Sequence, residues 1–131
     1  MADPALALQG ALVVLIKGKT DAADRVFDRV PSAAEKPYVS LGPMDVVGSY
    51  ADCYDGSETT AQIDVWGDDV GMPAVKRIAS QIRDLINAED YPIDGHSLAL
   101  GEVQATNYSR DPDGITTRAI ITARFITQPQ D

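Results

Sequence analysis

Residues 58–88, ETTAQIDVWGDDVGMPAVKRIASQIRDLINA, limit the fold more than any other stretch. Ala61, Ile63 and Val65 alternate with Thr60, Gln62 and Asp64. That period of two belongs to a strand with one buried face. Trp66 falls on the face opposite Ile63 and Val65. From Met72 to Ala88 the apolar residues Val75, Ile78, Ala79, Ile82, Leu85 and Ile86 recur every three or four positions, while Lys76, Arg77, Arg83 and Asp84 fall outside the stripe. Such spacing predicts an amphipathic helix. Pro73 suits its first turn, where a missing N–H is harmless. Asp68 and Asp69 precede that end, where carboxylates favour the positive end of the helix dipole. A strand, an acidic turn and a one-sided helix require a helix layer packed on a sheet.

The other segments extend that layer. Asp3-Pro4 reads as an N-cap and first helical position, followed by an apolar run to Lys17 that stops at Gly18. This helix is apolar nearly all round. It either lies deep in its own core or turns a second face to another subunit, with Leu8 and Leu12 as interface candidates. Gly10 in its middle costs about 1 kcal/mol relative to Ala, which suggests close packing there. Val26-Phe27 with Val30-Pro31, and then Pro37–Gly42, read as short extended pieces. Residues 44–54 read as an irregular strand, and Asp55-Gly56-Ser57 as a turn leading into the strand at 58. Tyr91-Pro92 lies just past the second helix. Two long strands follow. In the first, Leu98 and Leu100 differ in parity from Val103 and Ala105, so a β-bulge is expected near Gly101-Glu102. In the second, Ile115, Ala119, Ile121, Ala123 and Phe125 share a face. Between them Arg110-Asp-Pro-Asp-Gly114 is a turn sequence. Arms of this length reach roughly 33 Å, so the tip is expected to project. The fold class is α+β: one domain over 1–131, with an antiparallel sheet of about four strands, a long C-terminal hairpin and two helices mostly on one face.

Composition narrows the functions. Apolar content of 44% and charged content of 24% are those of a globular chain. A net charge of −9 opposes a nucleic-acid grip or binding to anionic membranes. Between Pro37 and Val75 there is no Lys or Arg but there are seven acids. They form either a plain soluble surface or one that must stay near DNA without holding it. Cys53 is the only cysteine, so neither an intrachain disulfide nor a Cys-based zinc site is available. Nothing basic precedes the apolar run Ala5–Ile16, so no secretory signal is expected. The run is also shorter than the roughly 20 residues that span a bilayer.

No catalytic constellation emerges. His96 is the only histidine. Its neighbours Asp94 and Ser97 are adjacent in a turn, whereas a triad draws its members from separate elements. Asp52, Asp55, Ser57 and Glu58 are hard oxygen donors of the kind calcium takes, but they lack EF-hand spacing, and a solvated turn is the simpler reading. The same holds for Asp111 and Asp113. Gly67–Gly71 lacks the lysine and spacing of a phosphate loop. No cofactor is expected. Trp66 is either covered by a second layer or an interface anchor. Arg118 and Arg124, on the outer parity of the last strand, either meet acids of a neighbouring subunit or are solvated.

Taken in order, Tyr38-Val39 with Leu41-Gly42, Asp55-Gly56-Ser57, Val65-Trp66 before a long helix, and Arg110–Gly114 before a final strand resemble the small tail-completion or tail-terminator proteins of long-tailed phages, prophages and gene transfer agents. The resemblance covers the chain from the first helix to about Phe125. It implies a virion protein, made in the cytoplasm of a bacterial host, that catalyses no reaction. In that family, subunits form a ring, typically a hexamer. The ring caps the tail tube, ends tube polymerisation, meets the head-side connector and lets DNA pass through its lumen. On that reading Asp55, Glu58, Asp68, Asp69, Asp111 and Asp113 are candidates for the lumen or a partner-facing surface. The competing readings are a head–tail connector or stopper and, from another class, a small acidic ligand-binding or enzyme domain.

Overall fold

The computed structural model describes residues 3–49, 56–68 and 70–130. In chain order it runs α1 (Ala5–Ile16), β1 (Val26–Phe27), β2 (Tyr38–Ser49), β3 (Gly56–Gly67), α2 (Met72–Asn87), β4 (His96–Arg110) and β5 (Thr117–Pro129). The strands form a five-stranded sheet in the order β1-β2-β3-β5-β4. Every pairing is antiparallel except β1 with β2. The fold is therefore the α+β arrangement expected, with a fifth, two-residue strand added at one edge.

Alternation along β3 and β5 sets the core. Ala61, Ile63 and Val65 pair with Ala123, Ile121 and Ala119, and all six are buried. Facing them, Val75, Ile78, Ala79, Ile82 and Ile86 of α2 are buried too. From α1, Leu8, Leu12, Leu15 and Ile16 complete the same cluster. Both helices thus lie on one side of the sheet. Leu8 and Leu12 are fully buried, which overturns their assignment to a subunit interface. The side of α1 left open carries Leu6, Gly10 and Val14 instead. Gly10 is exposed, and a Cβ there would meet nothing within 4 Å, so close packing is not its reason. At the start of α1, Pro4 already has helical angles, and the Asp3 side chain accepts the Ala5 N–H at 2.7 Å.

Several local readings shift by a few residues. The two extended pieces at 37–42 and 44–54 are one strand, β2, with its register broken between Leu41 and Met44. Gly42 and Pro43 occupy the break, where a proline without an N–H cannot join the ladder. Gly56 and Ser57 belong to β3, paired with Ser49 and Gly48, and not to a turn. Residues 50–55 lie outside the described residues. Val30-Pro31 is not a strand. In β4 the parity change takes two irregularities, between Leu98 and Leu100 and between Val103 and Ala105, rather than one at Gly101-Glu102. Ile115 is not on the buried face: it lies in the turn and is 61% exposed. Nor does the β4–β5 hairpin form a projecting arm. Its last pair, Arg110 and Thr117, is level with Gly67 at the end of β3.

Gly101 has a steric reason of its own. A Cβ there would come within 2.2 Å of the Tyr91 hydroxyl, which donates to the Ile86 carbonyl in the last turn of α2 at 3.1 Å. Among the described residues no helix is long and apolar enough to cross a membrane. Gly101→Ala is expected to cost about 1–3 kcal/mol by overpacking, read as a lower urea midpoint. Adding Tyr91→Phe, which removes the clashing oxygen, should restore part of the loss.

Candidate functional site

Among the described residues no second layer covers the face of the sheet opposite the helices, so its side chains cover one another. In the register, Trp66 stands between Tyr38 of β2 and Arg118 of β5. The Arg118 guanidinium lies 4.4 Å from the centre of the Trp66 ring, within cation–π range. Tyr38 stacks on the other side at 6.4 Å and meets Phe27 edge-on at 5.9 Å. The indole N–H donates to Ser40 Oγ at 2.9 Å. Trp66 is therefore half-buried among residues of its own sheet; α1 does not cover it.

The two arginines of β5 pair within the chain. Arg118 reaches Asp64, its diagonal neighbour on β3, at 3.2 Å. Asp64 is buried and also accepts from Gln62 Nε2 at 3.2 and 3.3 Å. Arg124 stands beside Glu102 of β4 and diagonal to Glu58 of β3. It hydrogen-bonds Glu58 and lies 3.5 Å from Glu102. These contacts, the Glu58 bond foremost, raise the affinity of Arg124 for its proton. Glu58 thus spends its charge inside the chain.

The remaining acidic candidates hold turns. Asp113 Oδ1 accepts the N–H groups of Ile115 and Thr116 at 2.9 and 3.0 Å, and Oδ2 accepts the Thr116 hydroxyl at 2.7 Å. The Thr116 hydroxyl bond is the largest cause holding the Asp113 carboxyl below the usual range. Asp111 closes the same turn through its backbone, to Thr116 at 2.8 Å and Gly114 at 3.0 Å. Asp68 is exposed, and its carbonyl accepts from Thr117 Oγ1 at 2.9 Å. Asp55 and Asp69 lie outside the described residues. His96 is buried, with its Nδ1 2.8 Å from the Asp94 carbonyl. Among the described residues no group of three or more His, Cys, Asp or Glu is placed to hold a metal; Asp52 and Asp55 are not among them.

The sequence reading put the wrong residues on the outward side of α1 and missed a second surface. On α1, Leu6 is 82% and Val14 71% exposed. With Gly10 between them they wall a groove of about 660 Å³, closed opposite by Tyr91 and Pro92. The signal existed as spacing of four, but a helix apolar all round does not tell which stripe faces out. The other surface is the far half of β4, residues 104–110, which is nearly all exposed. Its Tyr108 ring lies 5.4 Å from Lys76 Nζ of α2.

With this geometry in view, comparison with known proteins is decisive for the family. The family described as tail completion protein gp17 matches residues 2–128. The chain belongs to that family. This tail completion protein is accordingly a structural component of the virion and not an enzyme. No curated protein matches the chain. Among solved structures, a chain of a particle described as "Virion of native gene transfer agent (GTA) particle" shares the fold, with a TM-score of 0.86 and 22% identity. The match covers 98% of this chain and 99% of that one.

Asp64→Ala should strand a largely covered guanidinium and cost about 1–3 kcal/mol, read from denaturant unfolding. Arg118→Met in the same chain should recover part of that loss. For Asp113, a lowered folded pKa means stability present above the unfolded value and lost as pH falls through the folded one. Its carboxyl carbon should therefore titrate by NMR at lower pH than those of exposed aspartates without such bonds, and Thr116→Val should raise its midpoint.

Proposed function

We propose that this tail completion protein forms a closed ring on the end of the tail tube, stops tube polymerisation and offers the head side a surface for its connector. Membership of the family over nearly the whole chain carries the reading. The fold shared with a gene transfer agent virion chain supports it. So does the apolar stripe Leu6–Gly10–Val14, since exposed apolar patches of this kind mark contacts between proteins. We take the ring to be a hexamer, as the resemblance implies. The net charge of −9 suits a lumen through which DNA slides without being held.

Native mass spectrometry at several concentrations, alone and with tail-tube protein, tests the ring. A species of about six subunits is expected. A chain that stays monomeric under both conditions sinks the proposal. Pull-down against tube protein and against head-side adaptor separates a terminator from a connector. Leu6→Glu and Val14→Glu should leave the melting temperature within a few degrees and weaken binding to a neighbouring tail component about tenfold or more. Leu8→Glu should unfold the chain, because it buries a charge in the core.

A further inference from the structure

Among the described residues each side of the sheet ends in an edge with unpaired backbone. We propose that the edge of β4 at residues 104–109 adds to the edge of β2 at residues 44–49 in a second copy of this chain, so that one sheet runs continuously from subunit to subunit. The proposal rests on the ring reading above.

β4 ends the sheet along its whole length. At the other end β1 pairs only with Val39 and Ser40, which leaves β2 from Met44 onward without a neighbour on that side among the described residues. Unpaired edges invite foreign strands, and proteins guard them with charges, prolines or covering elements. The first half of β4 has such guards: Glu102 pairs with Arg124, and the Val103 N–H is taken by Asn87 Oδ1 of α2 at 2.8 Å. Residues 104–109, Gln-Ala-Thr-Asn-Tyr-Ser, carry neither charge nor proline. Both segments have six residues, of which the register below pairs five, a ladder of roughly 17 Å; the β2 segment carries one charge, Asp45.

Strand direction selects the occupant. β2, β3, β5 and β4 alternate in direction across the sheet, so β2 and β4 are antiparallel to each other. A copy rotated about an axis that preserves strand direction therefore lays its β2 antiparallel along β4. The two edges differ, so the contact is head-to-tail and can repeat until it closes. Keeping the helices on one side requires residues of like face to meet. Of the registers that satisfy this, we take the one that sets Val47 against Asn107 and Val46 against Tyr108. Val47 and Asn107 are both exposed on the open face of the isolated chain. In this alignment the incoming 111–116 turn ends beside β1, which acts as a stop. The paired segments sit at opposite ends of the sheet, so copies are staggered along the strands and the strands tilt from the ring axis, as closing a sheet requires.

Hydrogen exchange and cross-linking on the full chain test this. In the assembled state the outward-pointing amides of 104–109 and 44–49, every second residue, should exchange at least about tenfold more slowly than in the dissociated chain. Val47→Cys with Asn107→Cys, in a Cys53→Ala background, should give a ladder of disulfide-linked oligomers under oxidation, and neither cysteine alone should. An assembled ring whose two segments exchange unchanged overturns the edge pairing and leaves the ring reading intact. Dimers from Asn107→Cys alone would mean two-fold β4–β4 pairing and also overturn it. Protection of 104–109 only when tube protein is added, with 44–49 unprotected, would assign the edge to a tube strand instead. A chain monomeric under all conditions overturns both readings.

Discussion

Packing of α2 against the inner side of β3 and β5 is the contact on which the molecule depends. Ala61, Ile63, Val65, Ala119, Ile121, Ala123 and Phe125 form that side. The alanines at 61, 119 and 123 keep the sheet surface low where the helix crosses, and the larger side chains fill the space beside it. Two helices in a chain of 131 residues cover only one side of the sheet. The consequence is a second face that must be stable in contact with water or with another protein.

That second face is held by side chains lying along it rather than by a layer above it. Arg118 bridges from the Trp66 ring to Asp64, and Arg124 spans Glu58 and Glu102. Planar guanidinium groups suit this work because they stack on rings and bond carboxylates sideways. Exposed pairs of this kind are individually weak. The Asp64 pair is the exception, because a buried carboxylate without its arginine has no other cation beside it in these contacts. The same economy leaves neither Arg118 nor Arg124 as a free charge for a neighbouring subunit.

Much of this was legible because period two and period 3.6 are strong signals. The strand at 58–66, the helix from Met72 and the inward set from Ala119 to Phe125 all follow from them. The α1 readings failed for a physical reason. Leu6, Leu8, Leu12 and Val14 are equally apolar, and only the tertiary contacts of α1 with β1, β2 and α2 decide which two are buried. The pieces 37–42 and 44–54 read as separate, yet β3 carries the pairing past Gly42-Pro43 and makes them one strand. The β1 strand is two residues long and exists only because β2 lies beside it. The pairing of Arg118 with Asp64 required a register between strands 54 residues apart in sequence, which no local pattern encodes. The turn roles of Asp111 and Asp113 were readable, since Asp-Pro-Asp-Gly favours a tight reversal on its own.

The 111–116 turn is tied at more than its own two strands. Lys36, just before β2, donates to the Thr116 hydroxyl at 3.1 Å, and Thr117 on the next residue holds the Asp68 carbonyl where the chain leaves β3. Three separate stretches of backbone thus converge on one knot at this end of the sheet. A tensile load applied at the turn is shared among β2, β3 and β5 in parallel and does not peel the outer hairpin away strand by strand.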